Sequence, residues 1–349
     1  MSRSDQGILH LAATAVVGLL VTGAASAAPS YRIEPLGKGH GIKPKTATAV
    51  NDNGQAVGVG NDTVTREKVI FISKPGQKTN FLEQSRAVPY PGEPDVNNSG
   101  TVIGRYRRNG VDYGGQWSSD GTLTDLGTLV GCSDPQGAYP KSINNAGDLA
   151  ISVDCHIGGV RTLGGFFIHS GVATMLPGLG GEGSYGNALN GVGQITGSSA
   201  GPTGVQQAFI WKAGQAIQSL VPTGQESYGY AINDLGHVVG MKVNNLKWTP
   251  FLHDGVALRE LPKCDGKDIW PDAITNDGLI VGHTYDVWTP RHTALIRNGT
   301  CTLLSSLLDG SGAGWTETIA YDVNEAGVIV GAGKYNGGRR AFIATPLSR

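Results

Sequence analysis

The chain has 349 residues, and 54 of them are glycine, roughly 15% and about twice ordinary usage, with no every-third-residue period of the collagen kind. The 27 Lys and Arg nearly balance 28 Asp and Glu, and only 16% of residues are charged, so the footprint of a nucleic-acid or polybasic membrane partner is absent. At 39% hydrophobic the chain has enough apolar material for a core, which excludes global disorder.

At the start, residues 8–22 form a short apolar stretch behind Arg3, and Ala25-Ser26-Ala27 follows in the Ala-x-Ala pattern of a signal-peptidase site. Residues 1–27 read as a secretory signal peptide cleaved after Ala27. About 15 apolar residues fall short of the roughly 20 that a spanning helix needs. No second long apolar run exists, so a soluble secreted or periplasmic protein is expected, with no membrane span after cleavage. Four cysteines, Cys132, Cys155, Cys264 and Cys301, fit an oxidising compartment, and none forms a Cys-x-x-Cys pair. Of three possible connectivities the two most local pairs are expected, Cys132–Cys155 and Cys264–Cys301.

From residue 50 onward one motif recurs: apolar, Asn, two variable residues, Gly, then a β-branched pair ending in Gly. It begins at Val50-Asn51, Val96-Asn97, Ile143-Asn144, Leu189-Asn190, Ile232-Asn233, Ile274-Thr275 and Val323-Asn324. Thr275 replaces the Asn of the sixth copy, and Ile151 replaces the closing Gly of the third. The successive spacings are 46, 47, 46, 43, 42 and 49 residues, a period of propeller blades.

Each repeat reads as four short strands. The first ends at the apolar-Asn pair, where the Asn side chain caps an Asx-turn and Gly supplies the left-handed residue of a tight hairpin. The second is the β-branched run, as in Val238-Val239-Gly240. The third is seen in Ala208-Phe209-Ile210-Trp211 and Phe166-Phe167-Ile168, and the fourth in Leu123-Thr124-Asp125-Leu126-Gly127. The segment Ile33-Glu34-Pro35-Leu36-Gly37 matches this fourth strand, while the chain stops just after a third strand, Ala341-Phe342-Ile343-Ala344. The first segment therefore completes the last repeat. The reading is all-β: a seven-bladed β-propeller over 28–349, its N-terminal strand closing the last blade.

The motif and its Ala-Phe-x-Trp strand resemble the bacterial extracellular HAF repeat family, named for His-Ala-Phe. The best matches are Gln207-Ala208-Phe209-Ile210-Trp211 and Arg340-Ala341-Phe342, whereas His292-Thr293-Ala294-Leu295 holds its His one place early. The resemblance implies an exported, β-propeller-like repeat protein and brings no catalytic residues with it.

Gly197-Ser198-Ser199-Ala200-Gly201 fits the hydrolase pattern G-x-S-x-G, but Pro202 and a loop follow where the nucleophile elbow needs a helix. Gly178-Leu179-Gly180-Gly181-Glu182-Gly183 fits G-x-G-x-x-G and leads into a strand, so it lacks the helix N-terminus that would hold phosphate. The histidines, among them His40, His237, His253 and His283, show no metal spacing, and the Asn-Asp-x-Gly hairpins lack the alternating oxygens of a calcium loop. No metal, cofactor or catalytic residue is assigned. Glu182, Glu226, Asp268, Asp272 and Glu317 precede first strands and would gather at one face of a ring. They keep open a carbohydrate-active hydrolase or lyase. Five residues before the motif Asn or Thr stand Tyr139, Tyr185, Tyr228 and Trp270, and Tyr90 stands seven before Asn97. These rings either rim one mouth of the central channel as a glycan or protein site, or pack between blades as repeat architecture. The leading expectation is a monomeric, non-enzymatic binding or scaffold module with Tyr139, Tyr185, Tyr228 and Trp270 as the ligand contacts.

Overall fold

A computed structural model describes residues 31–37, 41–74, 77–82, 85, 94–134, 137–285 and 290–347. The signal segment, Tyr90 and His40 lie outside the described residues.

The described chain opens with β1 (Tyr31–Pro35). Blade 1 follows as β2 (Ile42–Val50), β3 (Ala56–Asp62), β4 (Lys68–Ser73) and β5 (Asn80–Phe81), and blade 2 as β6 (Asp95–Val96), β7 (Val102–Arg108), β8 (Val111–Trp117) and β9 (Leu123–Asp125). Blade 3 is β10 (Ala138–Ile143), β11 (Leu149–Ile157), β12 (Val160–His169) and β13 (Val172–Met175). Blade 4 is β14 (Ser184–Leu189), β15 (Gln194–Ala200), β16 (Gln206–Lys212) and β17 (Gln218–Ser219). Blade 5 is β18 (Ser227–Ile232), β19 (Val238–Asn244), β20 (Lys247–His253) and β21 (Leu258–Glu260), and blade 6 is β22 (Asp268–Ile274), β23 (Ile280–Tyr285), β24 (Thr293–Arg297) and β25 (Thr300–Leu303). Blade 7 is β26 (Trp315–Val323), β27 (Ile329–Tyr335) and β28 (Gly338–Pro346), with β1 as its outer strand. Every sheet is an antiparallel meander, and the first strands of successive blades contact one another around the axis.

The ring closes as the sequence predicts. Tyr31 pairs with Pro346, Ile33 with Ala344 and Pro35 with Phe342, so the last blade takes its fourth strand from the other end of the chain. Both disulfides take the expected local pairing. Cys132 and Cys155, with Cα atoms 5.7 Å apart, tie the connection after blade 2 to β11, and Cys264 and Cys301, 5.2 Å apart, tie the connection before blade 6 to β25. One expected strand is shorter than its pattern. The strand at Leu123 stops at Asp125, whose carboxylate accepts the Gly127 N–H at 2.8 Å and caps a single helical turn, Leu126–Leu129.

The core lies between blades. Phe71, Phe209, Phe251 and Phe342, from the third strands, are fully buried, and Trp211 is 4% exposed. Around Phe209 and Trp211 of blade 4 pack Ala150 and Phe167 of blade 3. The Ala-Phe-x-Trp signature is therefore the buried seam that joins neighbours, where an aromatic ring removes more apolar surface from water than any other side chain.

The repeat motif explains itself in two parts. Asn97 is typical: its Oδ1 accepts the Thr101 N–H at 3.0 Å, closing the Asx hairpin, and its Nδ2 donates at 3.1 Å to the Asn144 carbonyl of the next blade. Equivalent amide-to-carbonyl bonds run from Asn51 to Asn97, Asn144 to Asn190, Asn190 to Asn233, Asn233 to Thr275 and Asn324 to Asn51. A second circle runs one residue on. The N–H of Asp52, Asn98, Gly191, Asp234, Asn276 and Glu325 each donates to the side chain at the same position of the next blade.

The closing Gly answers a different need. In blades 3 to 6 the first strand carries a bulge three residues before the motif Asn or Thr. In blade 5 the two strands approach so closely that a Cβ on Gly240 would stand 2.1 Å from the Tyr228 carbonyl oxygen, whereas blade 3, bulged at the same place, holds Ile151 opposite Pro140. At Gly240 no side chain fits, although the backbone φ is ordinary.

Candidate functional site

Because the Asn hairpins all sit at one end of the ring, the first strands all begin at the other. At that mouth the structure places the four predicted rings, each half-buried, but it joins only two of them. Tyr228 and Trp270 meet through Trp248. The Tyr228 and Trp248 centroids are 5.7 Å apart, Trp248 and Trp270 6.1 Å, Trp270 and Tyr230 5.1 Å, and Trp270 and Tyr285 5.7 Å. Tyr139 instead lies beneath the Arg105 guanidinium of blade 2, at 4.8 Å. Tyr185 stands at the same position of blade 4, beside Gly183.

The result is a wall of five aromatic side chains over blades 5 and 6. Three of its members, Tyr230, Trp248 and Tyr285, escape a search for one fixed offset. Tyr230 falls on the bulge of β18, and the other two belong to second and third strands. Their legible signal is the alternation Tyr228-x-Tyr230 within a predicted strand. Burial holds the phenols of Tyr228 and Tyr230 above their ordinary range, so both hydroxyls remain protonated donors. At the tip of the β19–β20 hairpin, Asn245 and Leu246 have φ of 48° and 64°, and Leu246 is 96% exposed. A two-residue turn of this twist favours Asn or Gly at both places, so an exposed Leu beside the wall is a costly choice.

The five acidic residues have partners or stand apart. Asp272 Oδ2 lies 2.7 Å from Nδ1 of the buried His283, and Glu226 accepts the Tyr228 hydroxyl at 3.1 Å. Asp268 faces Lys247 at 3.3 Å and Lys263 at 3.6 Å, and Glu317 holds Lys334 at 2.7 Å. Glu182 is exposed. Ser199 of the G-x-S-x-G match is fully buried, bonded to the Leu179 N–H at 3.0 Å and the Ser184 hydroxyl at 2.9 Å, and sits in a strand that ends at a turn. Among the described residues, no three His, Cys, Asp or Glu side chains converge as a metal would require, and no helix is long and apolar enough to cross a membrane.

No protein-family model matches the sequence, and no curated protein sequence matches it. Solved structures do resemble its fold. The β-propeller domain of the Trilobed protease from Pyrococcus furiosus aligns at 10% identity with a TM-score of 0.53, over 73% of this chain and 82% of that one. An inactive variant of virginiamycin B lyase from Staphylococcus aureus, solved with quinupristin, aligns at 12% identity and 0.53, over 91% and 100%. An acylaminoacyl peptidase aligns at 11% identity and 0.52, over 82% of this chain and 50% of the peptidase. At such identities the likeness is one of architecture.

Proposed function

We propose that this chain is an exported, non-enzymatic binding module of HAF-type repeats. Its contact surface is the aromatic wall over blades 5 and 6, and its ligand is a glycan. The observation that carries the reading is the wall itself: five half-buried rings at one mouth, Tyr230 stacked on Trp270 and the other pairs tilted, with hydroxyl and indole tips at their edges. Such rings give flat apolar faces for sugar C–H groups at low entropic cost, and polar edges for their hydroxyls. Secretion through the segment 1–27 and the two disulfides accord with an extracytoplasmic ligand. The pairing of Glu226 with a hydroxyl, of Asp272 with an imidazole, and of Asp268 and Glu317 with lysines weighs against a free acid/base couple there.

A glycan array probed with the protein beginning at residue 28 tests this. Binding is expected to perturb tryptophan fluorescence, and Tyr228→Ala is expected to weaken it by about tenfold or more while the melting temperature holds. Tyr185→Ala, away from the wall, should leave affinity within about twofold. An array with no hit, or hits indifferent to Tyr228, overturns the reading. Release of reducing ends from a bound glycan would replace it with the hydrolase.

A further inference from the structure

Next to the wall around the ring, blades 7 and 1 differ from the rest. The first strands of blades 3 to 6 carry one register shift each, whereas β2 carries two and β26 carries two. The additional shift lies in both cases toward the strand start, at the same mouth as the wall. In β2 it falls on Lys45, and in β26 it spans Glu317, a non-glycine residue at φ 53°. Bulges re-aim side chains, and a left-handed glutamate is kept only where the surroundings impose it.

These distortions gather cations. Lys43 and Lys45 of β2 stand within electrostatic reach of Arg339 and Arg340 of β28, and Arg339 crosses the blade boundary to donate to Thr46 Oγ1 at 3.2 Å. Burial first, and then the charges of Lys43, Arg340 and Arg339, hold the Lys45 ammonium below its ordinary range. Among the described residues, no carboxylate lies within ion-pair distance of these four side chains, and Glu317 is engaged by Lys334. In a chain of formal net charge -1, a cluster of four uncompensated cations is a segregation of charge. Like charges held together destabilise the free protein and are relieved when an anion arrives.

We infer that the glycan taken by this mouth is an acidic polysaccharide, with carboxylate or sulfate groups held by Lys43, Lys45, Arg339 and Arg340 while uncharged ring faces lie on the aromatic wall. The inference rests on the reading of this mouth as a glycan-binding surface and adds the ligand's charge. A polymer suits the layout better than a small anion, because the cations stand on blades 7 and 1 and the rings on blades 5 and 6.

Titration calorimetry of the mature protein with polygalacturonate, neutral galactan and poly-glutamate separates the outcomes. Polygalacturonate is expected to bind more tightly than galactan, with affinity falling as salt rises. The double variant Lys45→Gln/Arg340→Gln is expected to lose about tenfold or more for polygalacturonate and to leave galactan unchanged. Lys43→Gln, a milder change, should show the same selectivity at smaller size if the double variant folds poorly. Equal affinity for polygalacturonate and galactan, both insensitive to Lys45 and Arg340 but lost in Tyr228→Ala, overturns the inference and leaves the binding reading standing. Binding of neither polysaccharide overturns both. Tighter binding of poly-glutamate, lost in the double variant, keeps the cationic site and replaces the polysaccharide with an acidic peptide.

Discussion

At the scale of single residues, Asp322 carries the most unusual ionisation. It sits on the innermost strand of blade 7, where one carboxylate oxygen accepts the Val50 N–H of blade 1 at 2.8 Å and the other accepts its neighbour's N–H, Val323, at 2.8 Å. Burial, reinforced by the charge of Asp95, raises its pKa to about 8. The folded protein therefore keeps a proton there at neutral pH that the unfolded chain releases near the ordinary carboxylate range. Stability falls as pH rises from about 4 towards 8, because the unfolded state binds fewer protons over that window. Asp322→Asn removes the titration. Its amide turns a donor toward one of the two backbone N–H groups, a cost that does not vary with pH, and its stability relative to the parent is expected to rise from pH 4 to pH 8 by on the order of 1–2 kcal/mol once channel water is allowed for. Calorimetric melts across that pH range decide it, and a difference that does not grow with pH refutes it. The closing glycine supplies a second prediction. Gly240→Ala drives a Cβ into the Tyr228 carbonyl and is expected to cost more than about 3 kcal/mol, whereas Gly278→Ala meets only open space at φ 82° and should cost about 1 kcal/mol. Chemical denaturation of the pair measures the contrast.

At the scale of the element, the hairpin was legible and its reach was not. The spacing of Asn and Gly identifies an Asx-turn because every partner lies within four residues, as with Asn97 and Thr101. The same side chain's bond to Asn144 spans 47 residues and depends on blade packing, which no local pattern encodes. The aromatic site divides likewise. Tyr228 and Trp270 share an offset and were found, whereas Tyr230 owes its place to a bulge, and Trp248 to a third strand that happens to run past them. The cationic patch left no periodic trace, since it exists only where blades 7 and 1 depart from the repeat. Thr275 turns this into a test. Its hydroxyl accepts the Leu279 N–H at 3.0 Å, as the motif requires, but it has no amide to offer the next blade. Thr275→Asn completes the circle by donating to the Asn324 carbonyl and is expected to stabilise the protein by about 0.5–1.5 kcal/mol. The converse change, Asn97→Ala, should cost about 2–4 kcal/mol, since it loses both the turn and the inter-blade bond. Equilibrium unfolding of the two variants checks both signs.

For the whole molecule, closure is the property on which the rest depends. The sequence exposed it through one comparison, Ile33-Glu34-Pro35-Leu36-Gly37 against a fourth strand, and the register of β1 on β28 agrees. Beyond its pairing, β1 is fastened to the connection between blades 6 and 7, with the Tyr31 N–H donating to the Leu307 carbonyl at 2.8 Å and the Asp309 N–H to the Tyr31 carbonyl at 2.9 Å. Removal of residues 31–37 from a chain that starts at residue 28 should leave β28 as a bare edge and open blade 7. Light scattering after size exclusion is expected to show self-association, with a lowered melting temperature. A compact species of unchanged stability would refute that account.

The two circles of hairpin bonds have one further consequence. The amide circle is broken only between blades 6 and 7, at Thr275, and the circle one residue on is broken only between blades 3 and 4, where Gly191 has no side chain to accept the Asn145 N–H. Five junctions are tied twice and these two once, so the rim of hairpin bonds divides into two arcs, blades 7-1-2-3 and blades 4-5-6. The cations ride on one arc and the aromatic wall on the other. Where a rim bond is missing, the apolar seam carries more of the join: Leu279, Val281 and Leu295 of blade 6 share a core with Phe342 of blade 7, and Phe167 of blade 3 packs edge-on against Trp211 of blade 4.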